Sequence, residues 1–351
     1  MNIVTDGSAY SFCAEKKKIF LRSELLALTE LHAKHCSPYA NLLKQFTHQE
    51  ILSIEDIPPL SVRLFKELEL KSIAEREVFK TLYSSGTNGQ PSKIFLDKAT
   101  AQLQSQVLVK ILQDWLGKAR RPMLLIDSPT TVKKSNAMTA RAAGLQGLSF
   151  FGRDHTYALD ENMQLNLPVV EAFFSQYAEQ PILIFGFTFM VWQQFIQALA
   201  AANIQFNCRD GTLIHGGGWK KLQDQAVSNA VFKQAICQQL GQVSVHDYYG
   251  MVEQTGTIYM ECEQGHLHCP IWSDVLIRDP ADLSLCPHNQ VGLIQVNSIL
   301  ARSYPGHCLL TEDLGEILGE DNCPCGRLGK YFKVHGRVPK AEVRGCSDTF
   351  S

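Results

Sequence analysis

The sequence predicts an α/β fold with a largely parallel sheet, followed by a small β-rich subdomain. Through the middle of the chain, strand-like runs such as PILIFGFT and GTLIHGGG alternate with helical segments, an order typical of βαβ units. From about residue 265 the predicted strands become short and turn residues separate them. A chain of 351 residues is long for one compact core, so we expect two or three packed subdomains.

Four segments are predicted along the chain. Residues 1–75 form a helical segment packed on the core, because SELLALTELHAKH and SVRLFKELEL carry apolar residues at three- and four-residue spacing. Residues 76–264 form the α/β core and contain a glycine-rich loop. Residues 265–335 form the β-rich subdomain, and residues 336–351 form a hinge remnant with a C-terminal tail.

The individual elements follow from local patterns. VFKTLYSS and SKIFLD are predicted strands on either side of the loop, and TAQLQSQVLVKILQDWLG is a predicted amphipathic helix with Thr100 as its N-cap. Further strands are predicted at PMLLIDSP, PILIFGFT, GTLIHGGG and VSVHDYYG, with helices through WQQFIQALAAAN and WKKLQDQAVSNAVFKQAICQQLG. The β-rich strands are expected at DVLIRDP, VGLIQVNSI, CLLTEDLGEIL and YFKVHG.

Composition and charge argue against several classes of protein. The net charge is -2, so no nucleic-acid partner is expected. The apolar run ILIFGFTFMVW at 182–192 is too short to cross a bilayer, and no membrane span is expected. The N-terminus does not read as a signal peptide. Without an export signal, 11 cysteines favour a reduced, cytoplasmic protein.

The loop YSSGTNGQPSK at 83–93 permits two interpretations. Asn88 and Gly89 between strand-like runs are a strong signal for a β-hairpin turn. The same glycines, hydroxyls and lysine suit a phosphate loop, since backbone amides can turn toward an anion. No Gly-Lys-Ser/Thr sequence ends the loop, so it is not a Walker loop. The two interpretations are compatible, because a hairpin loop can itself bind phosphate.

Five motifs along residues 84–345 resemble, in order, those of adenylate-forming enzymes, which include acyl-CoA synthetases, peptide-synthetase adenylation domains and firefly luciferase. The motifs are SSGTNGQPSK at 84–93, HGGG at 215–218, YYGMVEQTG at 248–256, LLTEDLGEI at 309–317 and HGRVPKAEVRG at 335–345. The resemblance implies the large domain of such an enzyme, with ATP and Mg²⁺ as cofactors and a carboxylic acid as substrate.

Two further features narrow the resemblance. CPCGR at 323–327 and the EC…GHLH block at 261–268 are similar to phenylacetate-CoA ligases, which continue beyond the hinge into a mobile domain. This chain stops six residues after Gly345, so that domain is expected to be absent. The sequence is then most similar to the acyl-protein synthetases of bacterial luminescence operons. This family implies activation of a fatty acid with ATP, transfer to a protein cysteine, and supply to an acyl-CoA reductase.

The resemblance also implies roles for residues. Glu253 would bind Mg²⁺, Lys93 would add positive charge at the phosphates, and Tyr249 would stack on adenine with the HGGG glycines on its other face. Asp313 would accept hydrogen bonds from both ribose hydroxyls, assisted by Arg337. The implied ATP-binding set is Ser84, Ser85, Gly86, Thr87, Asn88, Gly89, Gly216, Gly217, Gly218, Tyr249, Gly250, Asp313 and Arg337. Without the motifs, Glu253 and Asp313 would be interpreted as solvated loop carboxylates.

Cys346 is the third expected catalytic residue, beside Glu253 and Lys93. It lies in the tail after Arg344 and Gly345, where a nearby cation favours the nucleophilic thiolate. By the resemblance, this thiolate would attack the acyl-adenylate and form an acyl-thioester. The alternative is an ordinary exposed cysteine.

A structural zinc site is predicted from a set of soft ligands. The sequence CPC places two thiols close together, and a cysteine and a histidine six residues apart form a second pair. The predicted ligands are Cys262, His268, Cys323 and Cys325, a Cys₃His set typical of closed tetrahedral sites. His266 or Cys269 could replace one ligand of the second pair. The alternative is four unrelated buried residues.

Two other functions remain open at this stage. One is an aryl- or acyl-CoA ligase of the phenylacetate type, with coenzyme A as the acyl acceptor. The other is a non-catalytic adenylation fold that acts as a binding partner. Carboxylate-dependent pyrophosphate exchange would separate the last possibility from both enzymes.

Overall fold

The computed structural model describes residues 4, 7–46, 50–84, 90–133, 140–219 and 225–338. These residues fall into two compact units. The first takes its described residues from Met1–Asp114 and Gly250–Glu342, and the second from Trp115–Tyr249. The boundaries of the four segments predicted from the sequence stay a prediction.

The first unit begins with the predicted helices. Helix α1 (Ala14–His35) buries one face, whose apolar members Leu21, Leu25 and Leu28 recur at the predicted spacing. Helix α2 (Ser37–Phe46) follows directly. Helix α1 confirms the helical pattern of SELLALTELHAKH.

The helix predicted over SVRLFKELEL is mostly wrong. Only the short helix α3 (Leu64–Glu67) forms there, and Leu68 has an extended backbone. Just before it, strand β1 (Leu60–Ser61) pairs in parallel with Leu309 and Leu310. The tertiary pairing therefore takes Ser61, the first residue that the local pattern assigns to a helix.

The predicted strands around the glycine-rich loop are confirmed. Strands β2 (Lys80–Tyr83) and β3 (Lys93–Leu96) pair antiparallel as a hairpin. Helix α4 (Lys98–Leu116) follows, as predicted. Its N-cap differs from the prediction, because the backbone N–H of Thr100 donates to Oδ1 of Asp97 at 2.6 Å. Asp97 therefore caps the helix and Thr100 lies within its first turn.

The described part of the second unit is a parallel sheet covered by helices. The strands are β4 (Arg121–Ile126), β5 (Gly152–Tyr157), β6 (Ile182–Phe187), β7 (Cys208–Gly216) and β8 (Gly241–Tyr249). The helices are α5 (Thr130–Lys133), α6 (Ala140–Ser149), α7 (Leu167–Gln176), α8 (Thr188–Met190), α9 (Gln197–Ala201) and α10 (Asn229–Leu240), with a π-helical turn at Val191–Ile196. The strand order is β5-β4-β6-β7-β8.

Helix α10 begins later than its sequence predicts. The hydroxyl of Ser228 accepts a hydrogen bond from the backbone N–H of Val231 and caps the helix, whereas residues 225–228 are not α-helical. The remainder of the predicted start, residues 220–224, lies outside the described residues.

The strand order creates a switch point in this sheet. From β4 the chain moves to β5 on one side and then to β6 on the other side of β4. In parallel α/β sheets, ligands bind beyond the carboxyl ends of the strands at such a point. Asp127 follows β4 directly and forms a buried bidentate ion pair with Arg141 of α6, with Nε to Oδ2 at 2.8 Å and Nη2 to Oδ1 at 2.5 Å. This pair fixes α6 at the carboxyl end of β4.

The chain then returns to the first unit as antiparallel strands. They are β9 (Tyr259–Glu261), β10 (Leu267–His268), β11 (Ser273–Arg278), β12 (Gly292–Ser298), β13 (Cys308–Glu320) and β14 (Lys330–Arg337). Their order is β11-β12-β13-β14-β10-β9, and β1 pairs with β13. The four β-rich strands predicted from the sequence are confirmed, and the two short strands β9 and β10 flank the turn of the EC…GHLH block.

Two buried histidines join the N-terminal helices to the loop before β13. The His32 ring bonds to Ser72 Oγ at 2.8 Å and to the carbonyl of Ala301 at 3.0 Å. The ring of His307 lies 4.9 Å away and meets the Thr29 hydroxyl at 3.0 Å. Burial lowers the pKa of His32 to about 4 and that of His307 well below its usual value. Both rings are therefore neutral in the folded protein near pH 7.

The first prediction concerns acid stability. The pKa of a histidine in an unfolded chain is about 6.5, so between that pH and about pH 4 the unfolded chain binds a proton that folded His32 does not. The free energy of unfolding should therefore fall as the pH falls, by up to about 3 kcal/mol for His32. Urea unfolding between about pH 7 and pH 4 measures this slope.

The matched pair of variants is His32→Gln and His288→Gln, because His288 is an exposed histidine of the same unit. His32→Gln should flatten the pH dependence, and His288→Gln should leave it unchanged. An unchanged slope in His32→Gln would contradict the assignment.

Candidate active site

The base of the glycine-rich loop is held by two serines. The backbone N–H of Ser84 donates to the carbonyl of Ser92 at 3.1 Å, and the N–H of Ser92 donates to Ser84 Oγ at 2.8 Å. Lys93 is exposed at the start of β3, opposite Tyr83. The antiparallel pairing confirms the hairpin interpretation. Ser85, Gly86, Thr87, Asn88 and Gly89 lie outside the described residues, so phosphate binding by the loop stays a prediction.

Strand β7 ends at Gly216, the first glycine of HGGG. Gly216 lies opposite Tyr248 of β8, and a Cβ atom placed on Gly216 would lie 2.4 Å from Cε1 of that ring. Gly217 has a φ of 81°, whereas a Cβ on Gly218 would meet no heavy atom within 4 Å. The Tyr248 ring therefore occupies the space that a side chain at position 216 would need.

Tyr248 is a residue that the sequence reasoning missed, because the motif directs attention to the following tyrosine. Successive side chains of a strand point to opposite faces, so Tyr249 lies on the other face of β8 from Tyr248. The parallel register between β7 and β8 is the signal that identifies Tyr248, and it is visible only in the structure. Stacking of Tyr249 on adenine stays a prediction.

Glu253 lies in a 3₁₀ turn, Val252–Gln254, directly after Gly250 and Met251. Its side chain is mostly buried, with 8% exposed. Burial raises the pKa of the nearby Tyr304 phenol, and the negative charge of Glu253 adds to this rise. The alternative that Glu253 is a solvated loop carboxylate is therefore wrong about solvation, because the side chain is buried in the first unit.

Asp313 and Arg337 are brought together by the pairing of β13 with β14. The two residues lie directly opposite each other, and Arg337 Nε is 3.5 Å from Asp313 Oδ1. The Asp313 backbone N–H also donates to Thr311 Oγ1 at 3.1 Å. Both side chains keep partial exposure, so a carboxylate beside a guanidinium is accessible where β14 ends, at Arg337.

The four predicted zinc ligands lie close together in the first unit. One ligand atom from each of Cys262, His268, Cys323 and Cys325 falls within 4.8 Å of the other three. Cys262 Sγ is 3.9 Å from Cys323 Sγ, and His268 Nε2 is 3.4 Å from Cys325 Sγ. Thiolates bound to a tetrahedral zinc lie about 3.8 Å apart, given Zn–S bonds of about 2.3 Å, so this donor set fits a zinc ion.

Two glycine turns present the thiols. Gly265 and Gly326 both have positive φ, and each donates its N–H to the carbonyl of the cysteine three residues earlier, Cys262 and Cys323 respectively. The N–H of Gln264 also points at Cys262 Sγ, at 3.4 Å. Positive φ favours glycine, which explains why both turns contain this residue.

The surroundings of the cluster shift the pKa values of its side chains in different ways. Burial raises the pKa of the Cys325 thiol, but hydrogen bonds from Arg327 outweigh burial and hold this pKa below its ordinary value. Burial lowers the pKa of His268 to about 4, so its imidazole is neutral near pH 7. Metal ligands must be deprotonated to bind, so the neutral ring of His268 and the lowered pKa of Cys325 favour metal binding. Burial raises the pKa of the Cys262 and Cys323 thiols, which opposes their ionisation in the absence of a metal.

Of the two residues considered as substitutes, His266 lies against the cluster and Cys269 does not belong to it. His266 Nδ1 contacts Cys323 Sγ at 3.4 Å and its ring stacks on Tyr331, with centroids 4.9 Å apart. Cys269 is buried, and its carbonyl accepts a hydrogen bond from Lys17. Cys269 is not part of the group of four.

The fold defines the class of protein. The structure is similar to 2-hydroxyisobutyryl-CoA ligase in an open conformation in complex with 2-HIB-AMP and CoA, with a TM-score of 0.73, 16% identity, and coverage of 96% of this chain and 80% of that one. It is also similar to ATP-bound MatB from Rhodopseudomonas palustris, with a TM-score of 0.50, 15% identity, and coverage of 76% and 49%. The chain therefore has the fold of adenylate-forming enzymes, as predicted.

The sequence comparison gives the family. The model of the family "Acyl-protein synthetase, LuxE" matches residues 1–351, and the chain belongs to this family. A long-chain-fatty-acid–luciferin-component ligase of Aliivibrio fischeri is 25% identical over 325 residues, which cover 90% of this chain and 84% of the relative. The Vibrio harveyi protein of the same name is 22% identical over 357 residues, covering 100% and 92%.

The structure describes only some of the predicted site residues. The structure brings Asp313 to Arg337 and assembles the four zinc-ligand candidates. Cys346 lies outside the described residues. In the described ranges, no helix has the length and apolar character needed to pass through a bilayer.

Proposed function

We propose that this protein uses ATP to activate a long-chain fatty acid as an acyl-adenylate and transfers the acyl group to a cysteine thiol. The observation that carries the proposal is the family match over residues 1–351. The adenylate-forming fold and the names of the two ligase relatives support the same reaction. A coenzyme A ligase of the phenylacetate type is the alternative, and the acyl acceptor distinguishes the two.

The first half-reaction forms a mixed anhydride. A carboxylate oxygen of the acid attacks the α-phosphorus of ATP, the bond from that phosphorus to the bridging oxygen breaks, and pyrophosphate leaves. Catalysis of this step depends mostly on positioning and on stabilisation of phosphoryl charge. We assign the ribose hydroxyls to Asp313, whose place is set by Arg337 and Thr311, and the adenine to Tyr249 and the HGGG glycines.

The phosphates are assigned to the loop between Ser84 and Ser92, whose base is closed by their two hydrogen bonds. Glu253 would hold Mg²⁺, because a carboxylate together with substrate phosphate oxygens is the ligand set this ion prefers. When bound, the ion would offset the charge of the phosphate oxygens. Lys93, exposed at the hairpin, would add positive charge.

In the second half-reaction, we assign the nucleophile to Cys346. Its thiolate attacks the carbonyl carbon of the acyl-adenylate, a carbon–sulfur bond forms, and AMP leaves with the anhydride oxygen. An acyl-CoA reductase is the partner that we propose for the acyl group, since reduction of a thioester yields an aldehyde. We place the reaction in the cytoplasm, where the thiols stay reduced.

We also propose that Cys262, His268, Cys323 and Cys325 hold a structural zinc ion. The support is the spacing of their ligand atoms and the neutral imidazole of His268. Bound zinc would fasten the turn between β9 and β10 to the turn between β13 and β14. The four side chains supply a closed set, so this metal would stabilise the fold and take no part in the chemistry.

The second prediction is Mg²⁺-dependent exchange of pyrophosphate into ATP that requires a fatty acid. Glu253→Gln and Asp313→Ala should each reduce the exchange by on the order of a hundredfold, as expected for loss of one well-placed charged contact. Glu312→Ala is the control, because Glu312 is adjacent on β13 and pairs with Arg63; it should keep most of the activity.

A broad panel of carboxylic acids is needed in the exchange assay. If none of them supports exchange, the chain is not an adenylate-forming catalyst. If exchange occurs but the acyl group is released only when coenzyme A is added, the chain is a coenzyme A ligase instead.

The third prediction is a covalent acyl adduct on Cys346. Intact-mass analysis after incubation with ATP and a fatty acid should show one acyl group that neutral hydroxylamine removes, as expected for a thioester. Cys346→Ser should lose the adduct and keep pyrophosphate exchange, since adenylation does not use the thiol. Cys13→Ser, at an exposed cysteine, should keep both. An adduct that persists in Cys346→Ser would assign the thiol elsewhere.

The fourth prediction is that the purified protein contains about one zinc ion per chain, measured by elemental analysis. Cys325→Ser should lose the zinc and lower the Tm by roughly 5–10 °C, the shift for a loss of about 2–3 kcal/mol in a unit of this size. Cys286→Ser, at a half-buried cysteine outside the group, should keep the zinc. Absence of zinc from freshly purified protein would contradict the site.

A further inference from the structure

We infer that the buried segment 303–307, with the sequence SYPGH, is a positioning element. It fixes Glu253 and the β2–β3 hairpin relative to each other. The inference rests on the proposed function, in which the hairpin loop binds phosphates and Glu253 binds their Mg²⁺. All five residues of the segment are buried. Its first member contacts the hairpin, and its fourth member contacts the backbone of Glu253.

The hairpin is held through Ser303. The hydroxyl of Ser303 donates to the carbonyl of Phe95, in β3, at 2.8 Å. On the other side, the carbonyl of Ser303 accepts from the N–H of Ser72 at 2.8 Å. The Ser303 side chain is fully buried, and a buried hydroxyl is costly to leave without a partner. The strand that begins at the phosphate loop is therefore tied to this segment.

Glu253 is held through Gly306. A Cβ atom on Gly306 would lie 2.7 Å from the carbonyl oxygen of Glu253 and 2.3 Å from Cε2 of Tyr304, so the two backbones are in direct contact. The neighbouring side chain strengthens this contact, because Gln254 Nε2 donates to the carbonyl of Gly306 at 2.9 Å and to the carbonyl of Val296 at 3.1 Å. Gln254 is buried as well.

The opposite side of the Glu253 turn is closed by helix α4. A Cβ atom on Gly256 would lie 2.6 Å from Cβ and 2.7 Å from Cα of Gln104. Gln104 Nε2 reaches the hydroxyl of Tyr304, at 3.5 Å. The turn thus lies between α4 and segment 303–307, and it cannot shift without moving one of them.

The far end of the segment is anchored in the N-terminal helices. His307 is fully buried and meets the hydroxyl of Thr29, in α1, at 3.0 Å and that of Tyr39, in α2, at 3.4 Å. Ser303 and His307 are therefore fixed, and Gly306 between them has no freedom to follow a displaced Glu253.

The functional consequence follows from geometry. A metal ligand and a phosphate loop act on the same phosphoryl group, and misplacement by about 1 Å can reduce the rate a hundredfold. The contacts from Ser303 and Gln254 fix the two elements relative to each other. Ser303 and Gln254 are thus positioning residues, because the side chains reach backbone carbonyls and act through Glu253 and the hairpin.

The experiment measures the binding of α,β-methylene-ATP with Mg²⁺ and with EDTA, by calorimetry. The Kd with EDTA divided by the Kd with Mg²⁺ gives a ratio that measures how much the metal ion strengthens nucleotide binding. This ratio depends on how well Glu253 and the loop are placed relative to each other. Gln254→Met and Ser303→Ala should each reduce this ratio by roughly tenfold, consistent with losing one or two buried hydrogen bonds. Combined with Glu253→Gln, Gln254→Met should have no further effect on the ratio, because it acts through that carboxylate.

Gln295→Met is the matched control. Gln295 is also fully buried in the first unit, and its amide bonds to Arg278, Asn297 and Cys308. Gln295→Met should lower the Tm by an amount similar to that of Gln254→Met and should leave the Kd ratio unchanged. If Gln254→Met does not fold, Ser303→Ala carries the same test.

Variants that lower the Tm but keep the wild-type ratio would overturn the inference, as would wild-type binding that does not depend on Mg²⁺. Pyrophosphate exchange is measured in parallel and tests the proposed function separately. A wild-type protein that shows the Mg²⁺-dependent ratio without any fatty-acid exchange would contradict the proposed function, and the Kd ratios of the variants would still decide the inference.

Discussion

The position of Glu253 depends on two glycines whose backbones lie so close to neighbouring atoms that no side chain would fit. Gly306 meets the carbonyl oxygen of Glu253, and Gly256 meets the backbone and Cβ of Gln104. Close packing transmits strain, because a dense interior has no space to absorb an added methyl group. The helix α4, the 3₁₀ turn and segment 303–307 must therefore keep their relative places, and a buried carboxylate is held at a defined position inside the first unit.

Other parts of the first unit are arranged by antiparallel pairing. Asp313 and Arg337 belong to different motifs, and the register of β13 with β14 makes them neighbours. The same kind of pairing, between β10 and β14, brings the EC…GHLH block beside the CPCGR turn. One sheet thus assembles both a carboxylate–guanidinium pair and the set of candidate zinc ligands, and two glycine turns with positive φ present the thiols.

The fold is shared with ligases whose structures contain an acyl-adenylate and coenzyme A, which separates two questions about the chemistry. The adenylation half-reaction needs only nucleotide and acid, and Glu253, Asp313 and Arg337, which are proposed for it, lie in the 3₁₀ turn and the antiparallel strands described above. The second half-reaction depends on the acceptor thiol. We propose that the family to which this chain belongs differs from its structural neighbours mainly in this acceptor, a protein cysteine in place of a soluble thiol.

The sequence by itself determined the α/β class, most strands and helices, and the order of the five motifs, because hydrophobic periodicity and glycine-rich turns are local signals. It also identified the Cys₃His set, since each pair of candidate ligands consists of residues close together in the sequence. Only the tertiary structure decided that Tyr248 covers Gly216, that Asp97 caps α4, and that Ser61, the first residue of a predicted helix, pairs with β13 instead. It alone showed that segment 303–307, which carries no motif, contacts both the hairpin and Glu253. These features arise from contacts between residues far apart in the chain, and a local pattern holds no information about which distant backbone will lie against it.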